Sequence, residues 1–359
     1  LQIVLILIAL VVLVLFVILI GRTQGTGKKA LLILALVVLV LFIAFRFLFP
    51  MQAAPAPRGE KSVQTDTVYY RHASAYPEMH TGNNEREIPV HVWYPEGAKE
   101  QEHPLLLFSH GAFGVGFSNE TLFLELASRG YIVFSLDHPH HSFKSTLSDG
   151  ETVYADRTFI QSVMANPGDK DLATNWDDLR SWSLIRMEDL SFVLDKLLDA
   201  EADNRYEGCI DTERIVVSGH SLGGSAALGM GRLKPADINA VVVLEAPFAQ
   251  DITGIAGDEY VFTEEAYPLP LLHVYSDALY GKWGDIATYA MNERLYESDD
   301  PKYVTEHIAG VGHMGLTDMS LLSPILTNWV DGGLNTRKAP ETLLELNGTV
   351  LAFLEIYNP

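Results

Sequence analysis

The chain has 359 residues, with 25 Lys and Arg against 46 Asp and Glu and a formal net charge of −21. The first fifty residues hold four basic side chains and no acidic ones, so the remainder carries 21 basic against 46 acidic residues, a net of −25. A body this acidic repels phosphate backbones, which excludes nucleic acid as a partner, and the single cysteine, Cys209, excludes an intramolecular disulfide and a cysteine metal cluster.

Residues 1–20 are apolar except Gln2, and residues 30–49 are apolar except Arg46. As a helix each run spans roughly 30 Å, the thickness of a bilayer's hydrocarbon core. Two transmembrane helices, 1–20 and 30–49, are therefore expected to form a membrane anchor over residues 1–50. A secretory signal fits poorly, because no basic leader precedes the first run and both stretches are too long. The loop from Gly21 to Lys29 carries Arg22, Lys28 and Lys29 and no acid. Such a loop stays on the cytoplasmic side, so both helices run outward from it. The expectation is a multi-pass protein of the cell membrane, its globular part facing outside the cytoplasm. The Pro-rich run Met51–Arg58 opens a linker over 51–66, and residues 67–359 suffice for one large α/β domain.

Within that domain short apolar strands alternate with amphipathic helices. Ile88–Tyr94 reads as a strand that Pro95 ends, and Leu105–Ser109 (LLLFS) as a strand buried on both faces. Leu122, Phe123, Leu126 and Ala127 share one helical face before Gly130, a natural helix stop. Tyr131–Leu136 is the next strand, and a long stretch from His138 to Asn175 is polar and weakly periodic, as expected of a lid or an active-site wall. Met187, Leu190, Leu194 and Leu197 recur at helical spacing within Asp177–Leu198. Then follow the strands Arg214–Ser218, Ala240–Leu244, Leu271–Tyr275 and Tyr303–Ile308, a helix from about Gly223, and a C-terminal helix over Glu341–Tyr357. This alternation predicts a mostly parallel central sheet with helices on both faces.

The sharpest signal is Gly219-His220-Ser221-Leu222-Gly223, which follows the strand RIVVS and precedes a run of small residues. A tight strand-to-helix turn needs small flanking residues, lifts the serine hydroxyl above the sheet edge and sets it at a helix N-terminus. Ser221 is thus the expected nucleophile of an α/β-hydrolase fold. The base comes last in chain order in this fold, and His313, on the Gly-rich loop Gly310–Gly315, has both the order and the setting. The acid is either Glu245, ending the strand AVVVL, or Asp277, following LLHVY; fold logic alone leans to Asp277. Acyl transfer also needs backbone N–H groups aimed at the oxyanion; the expected ones are those of Leu222 and of Ala112, the first residue past His110-Gly111. The segment Asp137-His138-Pro139-His140-His141 contains metal-ligand residue types. No further ligand cluster accompanies it and serine chemistry needs no metal, so no metal and no cofactor is expected. The segment reads as a polar loop beside the cleft.

From about Ile88 to His313 the chain resembles the platelet-activating-factor acetylhydrolase family of α/β-hydrolases. The resemblance runs through VHVWYP, FSHG, LASRGYIVFSLDHPHHS, GHSLGG, VVVLEAPF and GVGHMGLTD. It implies that the acid follows the strand directly after the elbow, which moves the preference to Glu245, although the family's usual residue there is aspartate. It also implies metal-free release of short or oxidised acyl chains from phospholipids. The two-helix anchor is not part of the family's core pattern and points to a bacterial cell-surface relative. The expected function is hydrolysis of short-acyl or lipid esters through an acyl-enzyme on Ser221. A polyester or cutinase-like hydrolase, and a catalytically silent hydrolase-fold binding domain, are the alternatives.

Overall fold

The computed structural model describes residues 2–98, 101–165, 171–199, 206 and 208–359, with side chains described from residue 12 onward. Two helices come first, α1 (Gln2–Arg22) and α2 (Thr26–Leu48). Among the described residues one helix, Thr26–Leu48, is long and apolar enough to cross a membrane by length and composition. The other expected span, 1–20, falls half on side chains outside the described residues, and its described apolar part, Val12–Arg22, is too short to cross by itself.

The globular body is built on an eight-stranded sheet. In chain order its first elements are β1 (Val63–His72), β2 (Arg86–Pro95), β3 (His103–Ser109), α3 (Glu120–Ser128) and β4 (Ile132–Leu136). A small hairpin, β5 (Lys144–Thr146) and β6 (Thr152–Tyr154), leads to α4 (Arg157–Met164) and the long α5 (Leu172–Leu198). Next come β7 (Ile210–His220), α6 (Leu222–Leu233), β8 (Ala240–Leu244), a second hairpin of β9 (Ile252–Ala256) and β10 (Glu259–Phe262), and β11 (Leu271–Tyr275). The chain closes with α7 (Ala290–Tyr296), β12 (Tyr303–His307), α8 (Met319–Leu322), α9 (Pro324–Val330) and α10 (Ala339–Tyr357). The main sheet runs in the order β1-β2-β4-β3-β7-β8-β11-β12. The pairs from β4 through β12 are parallel, while β1 with β2 and β2 with β4 are antiparallel.

The central strands are apolar on both faces because both faces are covered. Along β3, Leu105 and Leu107 pack with Leu190, Val193 and Leu194 of α5 and Ala226 of α6. Leu106 and Phe108 point the other way, toward Leu122 and Phe123 of α3 and Leu343, Leu346 and Val350 of α10. Alternation with a period of two sends successive side chains into two separate cores, which is why LLLFS shows no polar face. β1 was not legible in this way. Its sequence VQTDTVYYRH is largely polar, and it lies at the sheet edge, paired with β2 from Val63↔Pro95 to His72↔Arg86. Ordered sheet thus begins at Val63, inside the expected linker over 51–66. The stretch His138–Asn175 holds the β5–β6 hairpin and α4; residues 166–170 lie outside the described ones.

Candidate active site

Ser221 sits between the end of β7 and the start of α6 with φ +53 and ψ −124, a backbone conformation rare for any residue but glycine. Its N–H donates to Leu244 O at 2.9 Å and its carbonyl accepts from Ser225 N at 3.0 Å, so the turn is held from both sides. The flanking glycines are required by close backbone approach. A Cβ on Gly223 would lie 1.9 Å from Ser109 O, and one on Gly219 2.4 Å from Gly223 O.

His313 lies on the loop after β12. That loop is clamped by Asp331, whose carboxylate accepts from Met314 N at 2.8 Å and Gly315 N at 3.0 Å, while Asn335 Oδ1 accepts from Gly312 N at 2.9 Å. The His313 ring stands 4.5 Å from that of His220, the residue before Ser221, and His220 Nε2 bonds the His313 carbonyl at 3.1 Å. Burial holds His220 well below the ordinary imidazole pKa, so it is neutral and donates that bond.

The other His313 nitrogen, Nδ1, is 2.7 Å from Glu245 Oε2. Glu245 is fully buried at the end of β8 with φ +52. Its carboxylate also accepts from Ser276 N at 2.9 Å and from Ser276 Oγ at 2.8 and 2.9 Å. Desolvation pushes the His313 pKa down, but the Glu245 hydrogen bond and charge, with Asp331 behind them, outweigh it and leave the imidazole above its ordinary 6.5. Asp277 is engaged elsewhere: its carboxylate meets His307 Nε2 at 2.7 Å and accepts from Gly310 N at 2.8 Å. The geometry thus brings Glu245, and not Asp277, to His313. Ser276 was not legible beforehand, since a serine one residue past a strand carries no signal of what it will face.

Ala112 and Leu222 come from two elements that meet near Ser221. The Leu222 N–H is the first of α6 and precedes the helix's own hydrogen bonds. Ala112 follows the His110-Gly111 turn at the end of β3, where a Cβ on Gly111 would lie 3.3 Å from Ser221 Cβ and 2.7 Å from His220 Nδ1. Below that turn lies a buried polar layer. Arg186 of α5 donates to His110 O and Gly111 O, and His138 bridges Ser109 Oγ and Asp189 Oδ2 at 2.8 Å each. Arg86 grips Asp189 with two bonds of 2.7 and 2.8 Å.

The segment Asp137–His141 differs from the expected polar loop beside the cleft. Asp137, His138 and His141 are buried. Asp137 accepts from Gly116 N at 2.7 Å, and His141 stacks on Phe159 of α4 at 4.1 Å. Among the described residues, His72, Glu188 and Asp189 bring donor atoms within 4.8 Å of one another. Both Asp189 oxygens already serve Arg86, so the positive charge a cation would bring is supplied by the guanidinium.

Comparison with known proteins follows the same lines. Residues 106–333 match the family described as "Alpha/beta hydrolase family". The chain is 27% identical over 142 residues to platelet-activating factor acetylhydrolase of Canis lupus familiaris, covering 36% of this chain and 32% of that protein. It is 28% identical over 156 residues to a probable 1-alkyl-2-acetylglycerophosphocholine esterase of Arthroderma benhamiae, covering 43% and 34%. The match spans about a third of the length of these curated relatives. Among solved structures, a ferulic acid esterase from Streptomyces cinnamoneus superposes with a TM-score of 0.62 at 22% identity, over 86% of this chain and 93% of that one, a likeness of fold.

Proposed function

Because the chain belongs to the alpha/beta hydrolase family, we propose that it hydrolyses carboxylic esters through a covalent acyl-enzyme on Ser221. The observation that carries this reading is the contact of His313 Nδ1 with the buried Glu245 carboxylate beside the strained Ser221 turn. With Nδ1–H held by Glu245, the free Nε2 lone pair accepts the Ser221 proton as Oγ attacks the ester carbon. The carbonyl π electrons move onto oxygen, and the N–H groups of Ala112 and Leu222 are the donors for that oxyanion. Collapse of the tetrahedral adduct expels the alkoxide, which takes the proton from His313, and leaves Ser221 acylated. Water then repeats the sequence, its proton passing to His313 and back to Ser221 as the acid leaves. Glu245 balances the imidazolium charge in both halves.

The proposed substrates are short-acyl or lipid esters, met at a membrane that α1 and α2 cross as a two-helix anchor, residues 67–359 working outside the cytoplasm. Three observations support the setting. The end of α1 and the start of α2 carry Arg22, Lys28 and Lys29. The segment leaving α2 is fastened to the body, with Ser323 Oγ donating to Leu48 O and Gln52 N to Leu321 O at 2.8 Å. Beside these contacts α8 and α9 expose Leu322, Val330 and Trp329, the last 78% exposed, a composition suited to the headgroup boundary. The curated relatives named for acetylhydrolase and esterase activity favour the same substrate class.

The test is hydrolysis of p-nitrophenyl esters of increasing acyl length by the full chain in detergent, beside its Ser221→Ala variant. Turnover on short chains that the variant loses is expected. A folded protein without turnover at any length would leave a silent binding domain as the better reading.

A further inference from the structure

Arg186 is fully buried, yet its guanidinium makes no ion pair within salt-bridge distance among the described residues. It donates instead to backbone carbonyls of the turn that follows β3: to His110 O and, at 3.4 Å, to Gly111 O, with Ser109 Oγ also at 3.4 Å. Burying a guanidinium costs several kcal/mol unless something compensates. The surrounding charges do not cancel it. Asp189 is held well below the carboxylate range, because Arg86 and His138 outweigh its desolvation, and Arg86 neutralises it. Burial keeps His110 and His141 well below the ordinary imidazole value and lowers His138 to about 4, so these three are neutral. Arg186 thus has no carboxylate within salt-bridge distance among the described residues, and Asp189 is already paired with Arg86.

The Gly111 carbonyl and the Ala112 N–H belong to one planar trans peptide, so they point in opposite directions. That carbonyl accepts from His110 Nδ1 at 2.7 Å, Gly114 N at 3.0 Å and Arg186 Nη2 at 3.4 Å, and donors that draw it inward turn the N–H outward, on the side where Ser221 Cβ approaches Gly111. Resting on the ester-hydrolase reading above, we propose that Arg186 is a positioning residue for the oxyanion turn. By gripping the His110 carbonyl, and sharing that of Gly111 with His110 Nδ1 and the Gly114 amide, it steadies the turn that aims the Ala112 N–H at the substrate oxygen, and its charge favours the oxyanion that forms there. The fork of the guanidinium spans two successive carbonyls, which an ammonium does not.

The experiment compares the full chain with Arg186→Met and Arg186→Lys, and with Ser221→Ala. Four quantities are read: kcat and KM on p-nitrophenyl acetate, affinity for an alkyl trifluoromethyl ketone, and the melting temperature. The ketone reports the oxyanion alone: Ser221 Oγ adds to its carbonyl carbon, the proton passes to His313, and the ketone oxygen takes the negative charge. In Arg186→Met kcat should fall by about 10²-fold with KM within about threefold, and ketone affinity should fall by a like factor. Arg186→Lys should stand between, with kcat down about tenfold. A folded Arg186→Met with the kcat and ketone affinity of the parent chain overturns the proposal. So does the failure of both variants to fold while Ser221→Ala folds, since Arg186 would then be needed only for the fold. Absence of turnover in the parent chain, or turnover that survives Ser221→Ala, defeats the ester-hydrolase reading itself, and the proposal falls with it.

Discussion

Replacing Glu245 by Gln changes one oxygen for an amide NH2 at nearly constant shape, in a site with no access to water. Gln can keep an acceptor toward Ser276 N, now 2.9 Å from Oε1, so the β8 and β11 ends should remain in place. What is lost is the charge-assisted bond from His313 Nδ1 to Oε2 at 2.7 Å. Such bonds contribute about 1.5–3 kcal/mol, and the amide also favours the tautomer that leaves Nε2 protonated and unable to act as base. In the serine-protease triad the equivalent Asp-to-Asn change costs about 10⁴ in kcat. A loss of about 10³–10⁴-fold is expected here, or about 4–5.5 kcal/mol at 1.36 kcal/mol per tenfold. The pH profile gives a second reading. The intact His313 is held above 6.5 because Glu245 outweighs desolvation. Without the carboxylate, desolvation dominates, so the acid limb of the residual kcat/KM should move to lower pH. Asp277→Asn, whose carboxylate bonds His307 and Gly310 among the described residues, should leave kcat within about threefold. Steady-state kinetics of both variants from pH 5 to 9 decide the matter. A large loss in Asp277→Asn together with a near-normal Glu245→Gln would refute the reasoning.

Three further outcomes are expected. Ser276→Ala removes the Oγ donor from Glu245 while sparing the backbone donor, so kcat should drop by about five- to tenfold with stability nearly intact, a worth of about 1–1.5 kcal/mol; unchanged kcat would show that the hydroxyl is idle. Gly223→Ala places its Cβ 1.9 Å from the Ser109 carbonyl oxygen, a backbone atom that cannot yield, and should cost about 3 kcal/mol or more in denaturant titration. A variant as stable as the parent would contradict the close approach of α6 to β3. Desolvation raises the Asp318 carboxyl to about 7 from an ordinary 3.8, against the hydrogen bonds from Thr121. The folded state therefore holds that proton more tightly than the unfolded chain, so the contribution to stability is complete below about pH 4 and is lost as pH rises through 7. The melting temperature should accordingly fall more between pH 4 and 7 in the parent than in Asp318→Asn, and equal slopes would dispose of the assignment.

The parts of the fold that were legible in the sequence are those governed by one local rule each. β8 and β11 were expected over Ala240–Leu244 and Leu271–Tyr275 and are found there, because five apolar residues between turn signals leave little else for the chain to do. α5 begins five residues before the expected start at Asp177, since Asp171 caps it by accepting from Thr174 N at 2.8 Å. β1 and the two hairpins were missed for the opposite reason: three to ten partly polar residues pair only because a neighbour is present. The strand-turn-helix setting of Ser221 and the late Gly-rich loop of His313 could be read directly. The acid could not be chosen by chain order, because Glu245 and Asp277 both follow strands. Their difference is which imidazole they meet, and that depends on the path of the loop after β12, fixed by Asp331 and Asn335.

The buried polar layer was beyond reach of the sequence for a deeper reason. Residue type predicts burial only on average, and Arg, Asp and His are counted as surface until a partner is in view. Arg86 and Asp189 are 103 positions apart, and His138 and Asp189 are 51. Neither separation carries a periodic mark. What the sequence did contain was a misleading local density, three histidines and an aspartate within Asp137–His141, which suggested either a ligand cluster or a wet loop. Three of the four are buried in other contacts. His138 is a neutral bridge, His141 a flat surface for Phe159, and Asp137 an acceptor for the Gly116 amide. His138 and Asp137 each give a buried polar group a partner, where leaving it unpaired would cost about 1–3 kcal/mol. The turn proposed to aim the Ala112 N–H toward the substrate is backed on its other side by this polar segment and by Arg186.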